Sequence, residues 1–326
     1  MGLGPRPVVA KVGFLFPGQG SQAVGMGKGF YEASPAVRAL YERASDILGF
    51  DLARLCFEGP EAELQLTANT QPAVLTVSVA AAEMLAGRGI TPALMAGHSL
   101  GEYSALVVAG ALPFDAAVRI VRKRGEFMQE AVPVGIGAMA ALLGLDLPAV
   151  EQICRQASRP SLDGFSEVAT VANINSATQI VIAGHRVAVE RAVTIAQERG
   201  GKKSVLLPVS APFHCPLMEP AGERLAKELA GVVVSPPKIP VVRNVDAGVT
   251  TTAGDVIRFL IRQVASPVRW ADCVTRMVRE GATVFLEVGP GRVLTALLKR
   301  IAEGVRGYAV EDPAGVEKAL AGLSDV

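Results

Sequence analysis

Histidine, tryptophan and cysteine are scarce in this 326-residue chain, with three, one and four copies respectively. The four cysteines, Cys56, Cys154, Cys215 and Cys273, are scattered, with no C-x-x-C pair and no dense framework. A disulfide scaffold is therefore excluded, and the cytoplasm is the expected compartment. No charge excess exists either: 32 basic and 31 acidic residues leave a formal charge of +1. Such a balance supplies no global field for nucleic acid or a membrane surface, so neither partner is expected. Long apolar runs are missing too. The longest uncharged stretch, 64–82, contains Gln65, Thr67, Asn69, Thr70, Gln71 and Pro72, which a spanning helix would carry only at considerable cost. At the N-terminus Lys11 interrupts the apolar residues and a Gly-rich turn follows, so no export signal is expected.

What remains is a chain that is 50% hydrophobic and long enough to bury a large core in about two domains. Residues 11–16 read as a buried strand stopped by Pro17-Gly18, after which helices dominate to residue 90. Pro72 is expected as a first-turn residue of a helix that Gly87 and Gly89 end, followed by a strand at 93–97 and a helix from Leu100. Strands separated by helices predict an α/β fold with a mainly parallel sheet covered on both faces.

The rhythm changes between Pro133 and Val209. Strand 138–143, helix 148–157, strands 168–173 and 179–183, helix 187–199 and strand 204–207 give the ferredoxin-like order β-α-β-β-α-β. Helices near 217–230, 254–264 and 270–280, a strand at 283–288 and a helix after Arg292 then resume the earlier pattern. The expected organisation is a large domain from 1–131 and 208–326, with residues 132–207 inserted as a small domain. A cleft between the two is the natural site.

Gly97-His98-Ser99-Leu100-Gly101 matches the nucleophile-elbow pattern G-x-S-x-G and stands between a predicted strand and a predicted helix. An ordinary serine in a Gly-rich turn fits the bare pentapeptide as well; the strand-helix context favours the nucleophile. The helix from Leu100 aims unpaired N–H groups at the serine, making the Leu100 N–H a candidate oxyanion donor. A serine hydroxyl needs a base, and the three histidines make the search short. His98 adjoins the serine in sequence and is placed to support the elbow. His185 reads as an exposed turn residue. His214, in a loop bracketed by Pro212 and Pro216, is the best-placed base. No Asp or Glu stands out as a third member, so a Ser-His dyad is possible.

In the helix over 115–130, Arg124 falls on the stripe formed by Ala117, Ile120, Val121 and Met128. None of these neighbours pairs with a guanidinium, so Arg124 is expected to meet an anion from elsewhere. A distant carboxylate and a clamp for a substrate carboxylate both satisfy that expectation, while a side chain that snorkels to water would escape it. Arg119, Arg122 and Lys123 read as solvated. The loop Pro17-Gly18-Gln19-Gly20-Ser21-Gln22-Ala23 contains G-x-G-x-x-A, but no second strand or ribose-binding acid follows, so a dinucleotide site fits poorly. Backbone N–H groups offered to an oxyanion fit better.

With F-P-G-Q-G-S-Q at 16–22, G-H-S-L-G-E-Y-S-A at 97–105, R-G-E-F-M-Q at 124–129 and the pair Phe213-His214, the sequence resembles malonyl-CoA:acyl carrier protein transacylases over nearly its whole length. The resemblance implies a hydrolase-like α/β domain with a ferredoxin-like insert, Ser99 as nucleophile, His214 as base and Arg124 as the ligand of the malonyl carboxylate. It further implies an oxyanion hole from the N–H groups of Gln19 and Leu100, and a main-chain carbonyl at Gln263 that orients the histidine. By analogy with polyketide synthase modules, Phe213 is expected to filter out branched acyl chains. The implied reaction is ping-pong, from malonyl-CoA to the phosphopantetheine thiol of acyl carrier protein, feeding fatty-acid synthesis, with no metal or redox cofactor. A monomer is expected, and an acidic carrier would dock on a basic patch such as Lys202-Lys203 or Lys299-Arg300. A serine hydrolase or thioesterase, a nucleotide-binding oxidoreductase and a silent carrier-binding module are the competing readings.

Overall fold

Alternation along three short strands builds the centre of the computed structural model, which describes residues 11–160, 166–209 and 211–324. The first ten residues, which bear on the export expectation, and Ser210, which precedes the histidine loop, lie outside that description. In Lys11–Phe16, Leu94–Gly97 and Ala282–Val288, Phe14, Phe16, Met95, Val284 and Leu286 enter one apolar core. The intervening Leu15, Leu94, Ala96 and Phe285 enter another, with Trp270, Val274 and Met277. Side chains two apart share a face, so each strand feeds helices on both sides of the sheet. The sheet has six strands in the order Val249–Thr250, Val241–Val242, Leu94–Gly97, Lys11–Phe16, Ala282–Val288, Arg306–Val310. All its pairings are parallel except that of the first two, which is antiparallel.

A second sheet is antiparallel and runs in the order Ala169–Ser176, Gln179–His185, Gly137–Leu143, Lys203–Leu206. Each strand lies within a few residues of its expected range. Helices Leu147–Ala157 and Arg186–Glu198 pack on one face, closing a core around Ala140, Leu142, Ile153, Ile180, Ile182 and Val189. The other face carries Met139, Ala172, Val181 and Ala183 against Cys215, with Phe213 and Leu217 alongside. This sheet therefore braces the loop that holds His214. Its junction with the rest of the chain is hydrogen-bonded: Ile174 N–H donates to the Val268 carbonyl, and Val268 N–H to the Ala172 carbonyl, each at 2.9 Å.

One expectation is corrected. The helix containing Pro72 begins at Thr67 and runs to Ala86, so Pro72 lies inside it. An interior proline lacks the N–H that would close its turn. Here Asn69 and Thr70 N–H groups bond the Leu66 carbonyl, and Thr70 Oγ1 donates to the Leu64 carbonyl at 2.6 Å. The helix Phe114–Glu130 presses on this turn so closely that a Cβ at Gly125 would stand 2.7 Å from the Ala68 Cα. Strands 241–242, 249–250 and 306–310 and helix Pro313–Ser324 went unread in the sequence. No described helix is long and apolar enough to cross a membrane.

Candidate active site

Ser99 joins the strand Leu94–Gly97 to the helix Leu100–Val108 with φ 51° and ψ −102°. That conformation is costly for a non-glycine residue and persists where surrounding structure over-determines it. The flanking glycines supply that structure by permitting close backbone approach. A Cβ at Gly97 would lie 1.8 Å from the Gly101 carbonyl carbon, and one at Gly101 would lie 2.0 Å from the Phe16 carbonyl oxygen. Both glycines are thus required by contact, as the elbow pattern predicts. Leu100 is the first helical residue, so its N–H has no intrahelical acceptor. The loop bearing Gln19 packs against the same turn: a Cβ at Gly18 would meet the His98 carbonyl oxygen at 2.4 Å. The exposed Gln19 side chain donates to Thr67 Oγ1 at 3.1 Å.

Ser99 Oγ lies 2.7 Å from His214 Nε2. On the far side of that imidazole, Nδ1 lies 2.9 Å from the main-chain carbonyl of Gln263. A carbonyl only accepts, so the proton resides on Nδ1 and Nε2 offers its lone pair to the serine hydroxyl. This carbonyl occupies the place where a triad carboxylate would stand. His214 has a positive φ of 59°, like Ser99. Burial, and secondarily the Arg124 cation, push the imidazole down to about 3, which keeps it neutral in the resting protein.

Arg124 is only 2% exposed and makes no ion pair among the described residues, so neither the carboxylate-paired nor the snorkelling expectation holds. Its three bonds go to neutral oxygens: NH1 to Gln71 Oε1 at 2.8 Å, NH2 to Ser99 Oγ at 2.9 Å, and NH2 to Gln263 Oε1 at 3.0 Å. Arg124 Nε is buried with no acceptor among the described residues, and the guanidinium carbon lies 5.4 Å from the centre of the Tyr103 ring. A desolvated cation with a spare donor, bonded to the serine oxygen itself, has the chemistry to receive an anion. Arg119 is exposed and Lys123 bonds Glu126 at the surface, as expected, whereas Arg122 is part-buried between Glu126 and Asn69.

The other histidines are elsewhere. His98 Nε2 lies 3.0 Å from Asn175 Oδ1, tying the elbow to the second sheet, and its ring tilts against Trp270. His185 ends a strand but is half-buried rather than exposed, and its Nδ1 accepts the Val168 N–H at 3.0 Å. Phe213 is half-buried beside the base. Beside His214 opens a cavity of about 640 Å³, walled by Cys154, Ser158, Thr170 and Val171 on one side and Pro216, Ala265 and Pro267 on the other. It lies between the second sheet and the main body, where the cleft was expected, and its size suits a small-molecule substrate.

Four buried polar residues of the site escaped the sequence reading as partners: Gln71, Glu102, Asn244 and Gln263's side chain. Asn244 Oδ1 accepts the Ser99 N–H at 2.8 Å while its Nδ2 donates to the Gly97 carbonyl at 2.7 Å, so one amide spans the elbow. The usable signal was a polar residue on a buried helical stripe, the same that singled out Arg124. Gln263 stands on such a stripe with Val256, Phe259, Leu260 and Val264.

Known proteins resemble this chain over nearly its whole length. The family described as acyl transferase domain matches residues 13–320. The chain is 46% identical to the malonyl CoA-acyl carrier protein transacylase of Bacillus subtilis (strain 168) over 97% of this chain and 98% of that protein. It is 48% identical to the malonyl CoA-acyl carrier protein transacylase of Escherichia coli (strain K12), covering 94% and 98%. Among solved structures, the malonyl CoA-acyl carrier protein transacylase of Coxiella burnetii superposes with a TM-score of 0.92 at 42% identity, over 98% of this chain and 99% of that one. A malonyl-transacylase in complex with its type II PKS acyl-carrier protein gives 0.91 at 44% identity, over 96% and 100%. A strained serine, a neutral imidazole and a buried cation meeting at one oxygen are the equipment of acyl transfer, and the chain belongs to the acyl transferase domain family.

Proposed function

We propose that this protein transfers the malonyl group of malonyl-CoA to the phosphopantetheine thiol of acyl carrier protein through a malonyl ester on Ser99, feeding fatty-acid synthesis. The observation that carries the reading is the convergence of His214 Nε2 and Arg124 NH2 on the Ser99 oxygen, at 2.7 and 2.9 Å. Arg124 exchanges neutral partners for the malonyl carboxylate, a charge-assisted and bidentate match. Ser99 Oγ attacks the thioester carbonyl as its proton passes to His214 Nε2, and the Gln263 carbonyl steadies the imidazolium through Nδ1–H. The N–H groups of Gln19 and Leu100 receive the oxyanion. The tetrahedral intermediate collapses, the C–S bond breaks, and the coenzyme A sulfur departs with the proton from Nε2. The carrier thiol then gives its proton to the same nitrogen and attacks the serine ester, and Ser99 regains its proton as the C–O bond breaks. Every proton and electron pair is accounted for, so these steps require neither a metal nor a redox cofactor.

The elbow supports naming the parallel-sheet region, 1–131 and 208–326, hydrolase-like, and the β-α-β-β-α-β order supports a ferredoxin-like insert over 132–207. Phe213, beside the base, acts in this reading as a filter against branched acyl groups. Docking of an acidic carrier uses a basic edge that unites the two candidate pairs. Lys203 is paired across to Leu143, Leu143 to Gln179, and Arg300 NH1 donates to Gln179 Oε1 at 2.7 Å. A monomer belongs to this reading, and four free buried cysteines fit the cytoplasm. Intact mass spectrometry after incubation with malonyl-CoA tests the proposal. The wild type gains one malonyl group, which added carrier protein removes, and Ser99→Ala gains none. An unlabelled wild type, or a labelled alanine variant, refutes it.

A further inference from the structure

Glu102 takes no part in those steps, yet it is 2% exposed and stands in the first turn of the helix that Ser99 precedes. A buried carboxyl is costly unless its oxygens are occupied, and one of them is occupied twice. Glu102 Oε2 accepts the Asn244 main-chain N–H at 2.9 Å and Gln263 Nε2 at 2.8 Å. Both partners then touch the reacting groups. The Asn244 side chain holds the Ser99 N–H and the Gly97 carbonyl. Gln263 Nε2 reaches the Ser99 carbonyl at 3.0 Å, its Oε1 holds Arg124, and its main-chain carbonyl orients His214.

We infer that Glu102 is a positioning residue: its carboxyl oxygen, together with the direct 3.3 Å bond from Gln263 Nε2 to Asn244 Oδ1, ties Asn244 to Gln263 and thereby fixes the strained Ser99 peptide, the Arg124 guanidinium and the His214 ring relative to one another. This rests on the reading of Ser99 as the acylated residue. What matters in the arrangement is where the oxygen sits. Burial pushes the carboxyl up to about 7 against the opposing pull of the Asn244 N–H, the Gln263 amide and, more weakly, Arg124 and Arg243, so a neutral oxygen in the same place serves as well. Glutamine keeps a carbonyl oxygen at that position and loses the charge. Aspartate keeps the charge and draws the oxygen back by one methylene, out of reach of two donors on separate segments.

The test is the rate of malonyl-Ser99 formation at saturating malonyl-CoA, followed by rapid-quench intact mass and referenced to folded protein by thermal unfolding. Glu102→Gln should stay within about fivefold of wild type, while Glu102→Asp should slow about a hundredfold, the size expected for a misplacement of about 1 Å. The half-saturating malonyl-CoA concentration should change less than the rate. A fast aspartate variant, or a glutamine variant as slow as aspartate, overturns the inference. A wild type that never acylates Ser99 overturns instead the parent reading, so the two failures are distinguishable.

Discussion

Replacing Arg124 by alanine separates its role toward the substrate from its role in the resting site. A guanidinium-carboxylate pair in this desolvated setting makes two charge-assisted hydrogen bonds, each worth about 1.5–3 kcal/mol. The loss for malonyl-CoA is then about 3–6 kcal/mol, or about a hundredfold to ten-thousandfold at about 1.4 kcal/mol per factor of ten. Acetyl-CoA has no carboxylate to lose. In the wild type it must leave a 2%-exposed cation without an anion, and the alanine variant removes that penalty. The lost bonds to Gln71, Gln263 and the Ser99 oxygen loosen the resting site, from which both substrates start. The ratio of second-order acylation rates, malonyl-CoA over acetyl-CoA, therefore cancels general damage and incomplete folding. Rapid-quench intact mass measures both rates, and the ratio should fall at least about a hundredfold. If both substrates slow in the same proportion, Arg124 is a structural residue and the carboxylate assignment is wrong.

Other outcomes follow from the same contacts. Arg124 is the second cause of the lowered His214 pKa, after burial, so Arg124→Ala should shift the acidic limb of acetyl-CoA acylation to higher pH; an unmoved limb contradicts the electrostatic link. Because folded His214 titrates at about 3 and an unfolded histidine near 6.5, the unfolded chain takes up a proton that the folded chain refuses. Stability from this group is complete above the unfolded value and is lost as pH falls towards 3; urea titrations of His214→Gln should show a shallower decline from pH 7 to 4 than wild type, and equal slopes refute the shift. Gly101→Ala puts a Cβ 2.0 Å from the Phe16 carbonyl oxygen and should lower the melting temperature sharply or abolish folding, so a variant as stable as wild type would show that the elbow tolerates expansion. Phe213→Ala should raise acylation by methylmalonyl-CoA relative to malonyl-CoA, measured in competition by mass, and an unchanged ratio removes the filter.

The three residues that meet at the Ser99 oxygen were legible in the sequence because each left a local mark. Ser99 sits in a pentapeptide whose glycines are dictated by contact, Arg124 is a charge on an apolar stripe, and His214 is one of three histidines. The small sheet was equally readable, since alternating strands and amphipathic helices of ordinary length declare themselves. The residues that hold the site together left no such mark. Glu102 meets Asn244 and Gln263 across 142 and 161 positions, and nothing in a window of neighbours encodes a meeting at that separation. Pro72 was misread because a first-turn proline is the common case, whereas here packing against Gly125 and the bonds of Thr70 sustain a helix already begun. Strands of two residues, such as Val241–Val242, are too short for any period to emerge, although this one leads directly to Asn244.

In the proposed reaction one acyl group is held at both ends, by the Ser99 oxygen and by the Arg124 guanidinium. A crystal structure of the enzyme trapped after malonyl-CoA treatment addresses it directly. The predicted result is an ester on Ser99 Oγ whose terminal carboxylate lies against Arg124 while His214 faces the ester oxygen. An acyl group on another residue, or an ester on Ser99 with its carboxylate turned away from Arg124, contradicts the claim.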